Sequence, residues 1–473
     1  MAEKSEFGMI GLGTMGSNLV MNMCDHNYFV SGYDKDVVKG ENLVKADKTG
    51  RIKVASKIED FIEQLATPRI IMMLVPAGKI VDAVIADLQP FLKKDDIVID
   101  CGNSHFSDTM KRVESLGSEG IYFMGIGVSG GELGARLGPA IMPGGDKAAY
   151  DKVSKMFEDI SAKYDGKPCT AYVGLGAAGH YVKMVHNGIE YALMELLAET
   201  YHILKVHGGY GNKEMHDIFS SWNEGRLQSY LVAVTAAILL EKDSVTDKDL
   251  IDIITDKAKQ KGTGAWTSME AMSILSPTPA IDAAVTQRVL SSMKEERVLA
   301  AEYIKKTTEP NTTQDRKKLL IELESALYAS FLITYAQGLA MLQKGSATHG
   351  FDIDIASVAS IWRAGCIIRA ELLNEITKEF EQNQDLTNLM LASNFADAIK
   401  TGEVALRKII GIATAQSIPC GTFCALLNYH DSYFSKWLPA NMIQAQRDFF
   451  GAHTYERIDM EGVFHTEWSH EVK

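Results

Sequence analysis

Cysteine is scarce in this chain, six residues in 473, so no disulfide framework is encoded. Cys420 and Cys424 lie four apart without a second pair to complete a ligand set, and read as packing residues. Long apolar runs are also missing. The longest, over residues 230–240, is too short for a bilayer, which takes about 20 residues to cross. The opening segment MAEKSEFGMIGLG lacks the apolar core of a leader, and its first apolar run reads as a strand. There is no basic surplus either. With 48 Lys and Arg against 61 Asp and Glu, the net charge is -13, which argues against nonspecific contact with nucleic acid or anionic membrane. An anionic substrate would need a local cluster of cations. No low-complexity segment and no repeat of about 20–50 residues is evident. Secreted scaffold, membrane protein and DNA-binding protein are therefore disfavoured, and a soluble cytoplasmic protein is expected. What is present is ordinary: 46% hydrophobic and 23% charged residues, in a chain long enough for several domains.

Short Ile- and Val-rich runs at 7–13, 28–34, 52–56, 69–76, 96–102 and 121–129 alternate with helix-like segments. Ser56 and Glu59 form a capping-box pair before one of them. Continuous apolar strands separated by helices imply a parallel sheet covered on both faces. Further strand-like pieces stand at 139–142 and 171–174. After about residue 178 the pattern turns helical, with stretches expected at 180–205, 214–242, 246–259, 280–305, 313–342, 355–383 and 386–401. From about residue 443 the chain carries Phe449, Phe450, Tyr455 and Trp468 among polar residues, too irregularly to fold alone. The expected fold class is an α/β Rossmann-like domain with a mostly parallel sheet (1–178), a large all-α domain (179–442) and an extended C-terminal tail (443–473).

Gly11-Leu12-Gly13-Thr14-Met15-Gly16 follows a strand and opens a helix. Gly11 permits the tight turn, Gly13 lets backbone approach a pyrophosphate, and Gly16 lets helix and strand pack closely. The helix N-terminus then offers N–H groups to the phosphates. Asp34, at the end of the next strand, can accept hydrogen bonds from the adenine-ribose hydroxyls and would repel a 2′-phosphate. Asp36 adds a second negative charge and Lys35 a positive one, so NAD is expected to be favoured, with NADP possible. Ser129-Gly130-Gly131 belongs to a second glycine-rich stretch, which serves as an anion cradle or as tight turns alone. Asn103 lies just past the fifth strand, on the edge where ligands sit in open α/β sheets.

Lys183, His186, Asn187 and Glu190 are spaced i, i+3, i+4 and i+7, with Tyr191 beside them. At about 100° per residue they share one helical face. Val182, Met184, Val185 and Ile189 cover the other faces, as in a buried helix. Burying Lys and Glu is costly unless they are paired or functional. A structural ion pair is one reading; the other is acid–base chemistry opposite a nucleotide. Oxidation of a secondary alcohol needs a base on the hydroxyl proton, and a desolvated Lys can be one.

These motifs resemble those of the 6-phosphogluconate dehydrogenases, in the β-hydroxyacid dehydrogenase superfamily, over nearly the full chain. The resemblance also takes in Gln260-Lys261-Gly262-Thr263-Gly264, Arg288, the segment from Ile361 to Arg369, and the segment from Gln444 to Glu456. It implies oxidative decarboxylation of 6-phospho-D-gluconate to D-ribulose 5-phosphate and CO2, in the pentose phosphate pathway. Lys183 is then the base on the 3-hydroxyl, and Glu190 protonates C1 of the enediol. Asn103, Ser129, Gly130, Gly131, His186 and Asn187 hold the carboxylate and hydroxyls. Tyr191, Lys261 and Arg288 bind the 6-phosphate. Arg447 and His453 complete the site of the other subunit in a homodimer with exchanged tails. The cofactor set is Gly11, Leu12, Gly13, Thr14, Met15, Gly16, Asp34, Lys35, Asp36, Leu74, Val75 and Asn103. No metal is expected, because a ketone β to the carboxylate accepts the electrons and no His-Glu-x-x-His pattern occurs. NADP-using members commonly carry Asn-Arg-Thr where this chain has Asp34-Lys35-Asp36. A shorter-substrate β-hydroxyacid dehydrogenase and a catalytically silent dinucleotide-binding protein are the competing readings.

Overall fold

The computed structural model describes residues 4–304 and 315–468. The chain separates into two compact units, dividing between Leu426 and Leu427.

The first unit opens with β1 (Phe7–Ile10), α1 (Thr14–Asp25), β2 (Val30–Tyr33), α2 (Val37–Ala46), β3 (Ile52–Ala55), α3 (Ile58–Glu63), β4 (Ile70–Met73), α4 (Lys79–Leu88), β5 (Ile97–Asp100), α5 (Phe106–Ser118), β6 (Tyr122–Ser129), α6 (Gly131–Leu137), β7 (Ala140–Gly144) and α7 (Lys147–Ile160). The strands form one sheet in the order β3-β2-β1-β4-β5-β6-β7. All neighbours pair in parallel except β7, which returns antiparallel to β6. Side chains alternate between two cores. Met9, Met72, Ile99 and Met124 join α1 and α7 on one face. Ile10, Ile71, Met73 and Val98 join α3, α4 and α5 on the other. The strand order reverses between β1 and β4, so their following loops diverge and leave a crevice at the carboxyl edge.

Local expectations differ from the structure here in three ways. Residues 171–174 form no strand; Gly174 makes an isolated bridge to Gly144, and Val173 N donates to the Pro143 carbonyl at 2.9 Å. The Ser56–Glu59 capping box does not form, because α3 starts after Lys57 and no side chain caps it. A short hairpin, β8 (Lys163–Tyr164) with β9 (Lys167–Pro168), had no signal in the sequence.

Helices follow: α8 (Ala178–Val206), α9 (Asn212–Trp222), α10 (Tyr230–Ile238), α11 (Thr263–Ser273), α12 (Pro279–Ser292), α13 (Lys294–Tyr303), α14 (Arg316–His349), α15 (Ile355–Ile361), α16 (Leu372–Gln382), α17 (Ala396–Ala415) and α18 (Gly421–Tyr433). Several are shorter than their apolar pattern suggested. The stretch 214–242 breaks after Trp222, where Asn223 Oδ1 accepts from Ser229 N at 2.9 Å. The stretch 280–305 breaks at Met293, and 355–383 breaks through a loop in which Gly365 has φ +72°. Residues 246–259 are not an α-helix; only a 3-10 turn at Leu250–Asp252 forms. Asp243 takes the Val245 and Thr246 amides and the Thr246 hydroxyl, which offers the backbone an alternative to the helix. The expected end at Lys305 and the expected start at Thr313 lie outside the described residues.

α14 carries the helical core, packed against α8 and α17. By length and composition it could cross a bilayer, unlike residues 230–240, but 83% of its apolar window is buried inside the protein. Close approach of α8 depends on small residues. A Cβ on Gly338 would lie 2.4 Å from Ile189 Cδ1.

The second unit begins within α18 and contains α19 (Ala440–Gly451), β10 (Tyr455–Glu456) and β11 (Val463–Phe464), the strands forming a hairpin. It is more ordered than its weak periodicity suggested, because a polar hub organises it. Buried Asp448 accepts from Thr454 N (2.9 Å), His465 Nδ1 (2.9 Å), Thr466 N (3.1 Å) and Trp468 Nε1 (3.0 Å).

Candidate active site

α1 starts directly after β1, with Gly13 as an N-cap that makes no side-chain cap. The first-turn amides therefore keep their donors for a ligand. Gly11 has φ +94°, and a Cβ there would lie 2.5 Å from the Leu74 carbonyl oxygen. A Cβ on Gly16 would lie 1.9 Å from Gly11 O, while one on Gly13 meets nothing within 4 Å. A bare backbone surface thus faces open space at a helix N-terminus, which fits a dinucleotide pyrophosphate.

That surface opens into a cleft of about 1090 Å³. Gly13, Thr14, Met15, Gly16, Leu74, Val75 and Asn103 line one side. Ser129, Gly130, Gly131, Lys183, Asn187, Glu190, Tyr191, Lys261 and Arg288 line the rest. Both glycine motifs and the polar stripe of α8 therefore meet in one space. Thr263 and Ile367, from the two family-like segments, also line it, as does Trp266, which sequence reasoning missed. Gly11 and Leu12 lie behind the cleft wall, and His186 is fully buried beneath it.

Asp34, Lys35 and Asp36 lie outside that lining. Asp34 Oδ2 accepts from Leu12 N (2.8 Å) and Oδ1 from Asp36 N (2.9 Å), while Lys39 Nζ stands 3.3 Å from both oxygens. Partial burial opposes the charge, but those amides and Lys39 outweigh it and hold the carboxyl below its ordinary value. Asp36 caps α2 through Val38 N, and Lys35 pairs with Asp87 at 3.4 Å. Arg447 and His453 belong to the second unit, where both are exposed and Arg447 Nη1 donates to Gln444 Oε1 at 3.1 Å.

The catalytic candidates stand on α8, seated against β6 with no spare room. A Cβ on Gly127 would lie 2.5 Å from Lys183 Cβ. Lys183 is 7% exposed, and burial pulls its pKa below the ordinary value, against the pull of Glu190. Burial pushes Glu190 up, against Lys183 and Arg288. No ion pair joins the two; Glu190 Oε2 is 3.9 Å from His186 Nδ1 instead. Among the described residues Lys183 makes no hydrogen bond or ion pair, so the structural-pair reading has no contact behind it. His186 is held neutral by burial and by Lys183; its Nε2 lies 3.3 Å from Ser129 Oγ and its Nδ1 3.2 Å from Asn187 Oδ1. At the far end, the Arg288 guanidinium stacks 3.5 Å above the Tyr191 ring. Its Nη2 donates to Met194 Sδ at 3.5 Å, a weak acceptor that an oxyanion would displace.

A Rossmann-type crevice opening onto a buried amine and a half-buried carboxyl that do not pair with each other defines a class, the dinucleotide-dependent oxidoreductases with acid–base chemistry. Comparisons with known proteins narrow it. Residues 6–174 match the family described as the NAD binding domain of 6-phosphogluconate dehydrogenase, and residues 179–468 match its C-terminal domain. The chain is 46% identical over 465 residues to the NADP(+)-dependent, decarboxylating 6-phosphogluconate dehydrogenase of Bacillus subtilis, covering 98% of this chain and 99% of that one. It is 44% identical over 475 residues to decarboxylating 6-phosphogluconate dehydrogenase 1 of Saccharomyces cerevisiae, covering 98% and 97%. A solved 6-phosphogluconate dehydrogenase of Plasmodium falciparum, studied with NADP+ and with 6-phosphogluconate, superposes with TM-score 0.94 at 40% identity, covering 98% and 100%. The chain belongs to the 6-phosphogluconate dehydrogenase family.

Proposed function

We propose that this chain oxidatively decarboxylates 6-phospho-D-gluconate to D-ribulose 5-phosphate and CO2, as a cytoplasmic enzyme of the pentose phosphate pathway. The observation that carries this is the pair Lys183, buried, and Glu190, half-buried, which do not pair with each other and line the cleft that the nucleotide loop opens into. The bound nicotinamide supplies the hydride acceptor. Lys183 Nζ takes the proton of the substrate 3-hydroxyl and returns it to the 3-keto oxygen as CO2 leaves. Glu190 gives its proton to C1 of the enediol while the C2 hydroxyl gives its proton back to the neutral Lys183, leaving the ketone. Asn103, Ser129, Gly130, Gly131, His186 and Asn187 hold the carboxylate and hydroxyls, while Tyr191, Lys261 and Arg288 hold the 6-phosphate. Steady-state oxidation of 6-phosphogluconate with NAD and NADP in parallel, with CO2 detected, tests the reading. Turnover without CO2 would favour a simple hydroxyacid dehydrogenase, and no turnover would favour a silent dinucleotide-binding protein.

We further propose three functional parts, 1–178 for the dinucleotide, 179–442 for substrate and dimerisation, and 443–473 as a tail that carries Arg447 and His453 into the cleft of a second copy. The tail's exposed apolar side chains support this. Ile443 is 60% and Phe450 72% exposed, apolar surface that a second copy would cover. Arg447→Ala should raise KM for 6-phosphogluconate by about tenfold or more, since a charged hydrogen bond is worth about 1.5–3 kcal/mol. An unchanged KM would remove the tail from the site.

NAD is the favoured cofactor in this reading, and NADP remains usable. Asp34 and Asp36 oppose a 2′-phosphate, while Lys39 partly neutralises Asp34. Substituting both acids with Asn should move the NADP:NAD ratio of kcat/KM upward, and a static ratio would refute their role.

A further inference from the structure

We propose that His180 is a positioning residue that locks Lys183 in register with the Asn103 end of β5. The proposal rests on the reading of Lys183 as the base.

His180 sits one helical turn before Lys183 on α8 and is 1% exposed. Its ring occupies a notch left by β6, where a Cβ on Gly125 would stand 2.6 Å from Nδ1. Nε2 lies 3.1 Å from the Asp100 carbonyl oxygen and Nδ1 lies 2.6 Å from Thr109 Oγ1. A carbonyl can only accept, so Nε2 carries the hydrogen and Nδ1 accepts from the Thr109 hydroxyl. Both ring nitrogens are then used, by β5 on one side and α5 on the other. Burial holds the ring neutral, against the pull of Asp100.

Asp100 is itself a junction. It is fully buried, its Oδ1 accepts from Gly102 N (2.9 Å), and its Oδ2 accepts from Ser104 Oγ (2.5 Å). Those two residues flank Asn103. Arg112 lies 3.7 Å from Asp100 Oδ2, and also donates to Asp82 Oδ1 (2.8 Å) and to the Gly78 carbonyl (3.2 Å), just beyond the Leu74–Val75 wall of the cleft. One network, buried at Asp100 and Arg112 and reaching the surface at Asp82, therefore joins the two loops on the cofactor side, and His180 is the member that α8 contributes. Gly127 lets the β6 backbone come so close that a Cβ there would lie 2.5 Å from Lys183 Cβ, which limits movement of Lys183 toward β6. The His180 bonds oppose sliding or rolling of α8 along the sheet. A base misplaced by about 1 Å loses about 10²-fold in rate.

The test uses the full chain with His180→Gln, His180→Asn and Thr109→Val. Gln keeps an N–H where Nε2 stands and can still reach the Asp100 carbonyl; Asn reaches only toward Thr109. His180→Asn should lower kcat by about 10–100-fold with KM for 6-phosphogluconate little changed. His180→Gln should recover most of that loss, and Thr109→Val should give a smaller fall in kcat. Melting temperatures taken in parallel separate positioning from general destabilisation. A Gln variant as slow as Asn, a loss carried by KM, or an unchanged kcat in Asn would each overturn the proposal. Lys183→Met separates this from the underlying reading. If that variant is inactive while His180→Asn is normal, only the positioning role fails; if it still turns over, the base assignment fails.

Discussion

Replacing Lys183 by Met is expected to lower kcat by about 10²–10⁴-fold, the span that a positioned general base commonly supplies. The side chain is 7% exposed and makes no hydrogen bond or ion pair among the described residues. Its removal should therefore leave stability nearly untouched, because an apolar chain of similar length replaces a desolvated amine. Cofactor affinity should persist, since the glycine loop is unchanged. Substantial turnover in the Met variant, or a collapse of the melting transition accompanying lost activity, would contradict the assignment.

The second large effect concerns Glu190 and pH. Glu190→Gln keeps the shape and removes the transferable proton, so overall turnover should fall by about 10²-fold or more. The pH profile supplies a sharper test. The working form has Lys183 neutral and Glu190 protonated, which is one proton on the pair. Acid adds a second proton and stops the base; alkali removes the last and stops the acid. Activity should thus rise with pH through the lower apparent pKa of the pair and fall through the higher. Burial lifts the carboxyl above its ordinary 4.5 and lowers the amine below its ordinary 10.5. The bell in kcat/KM should therefore be narrower than that interval. A flat plateau spanning it would show that the two groups do not titrate in a shared desolvated site.

Much of this arrangement was legible in the sequence for a physical reason. The sheet announces itself because parallel strands buried on both faces are apolar along nearly their whole length, as β1 and β4 are and as β5 is up to Asp100 at its carboxyl end. The stripe on α8 was readable because charge inside an apolar helix is rare. The helical half was read less well. A 3.6-residue pattern marks which face is buried but not where the helix stops. Asn223, Met293 and the loop through Gly365 end helices that the pattern runs straight through. His180 went unnoticed because one buried His among apolar neighbours looks like core; its spacing from Lys183 was the available clue. Asp34 was legible as a carboxylate at a strand end, but nothing in the chain order revealed that two amides and Lys39 already occupy it.

The seam between β6 and α8 has a consequence for anyone wishing to retool this enzyme. At Gly125 and Gly127 the gap is one backbone wide, and an added methyl would strike His180 or Lys183. That wall cannot be carved to admit a bulkier acid without dislodging the machinery mounted on it. Room for new substrates has to be sought across the cleft, where Lys259, Gln260 and Lys261 come from irregular chain. Mutagenic libraries aimed there would vary the guest while the anvil stays fixed.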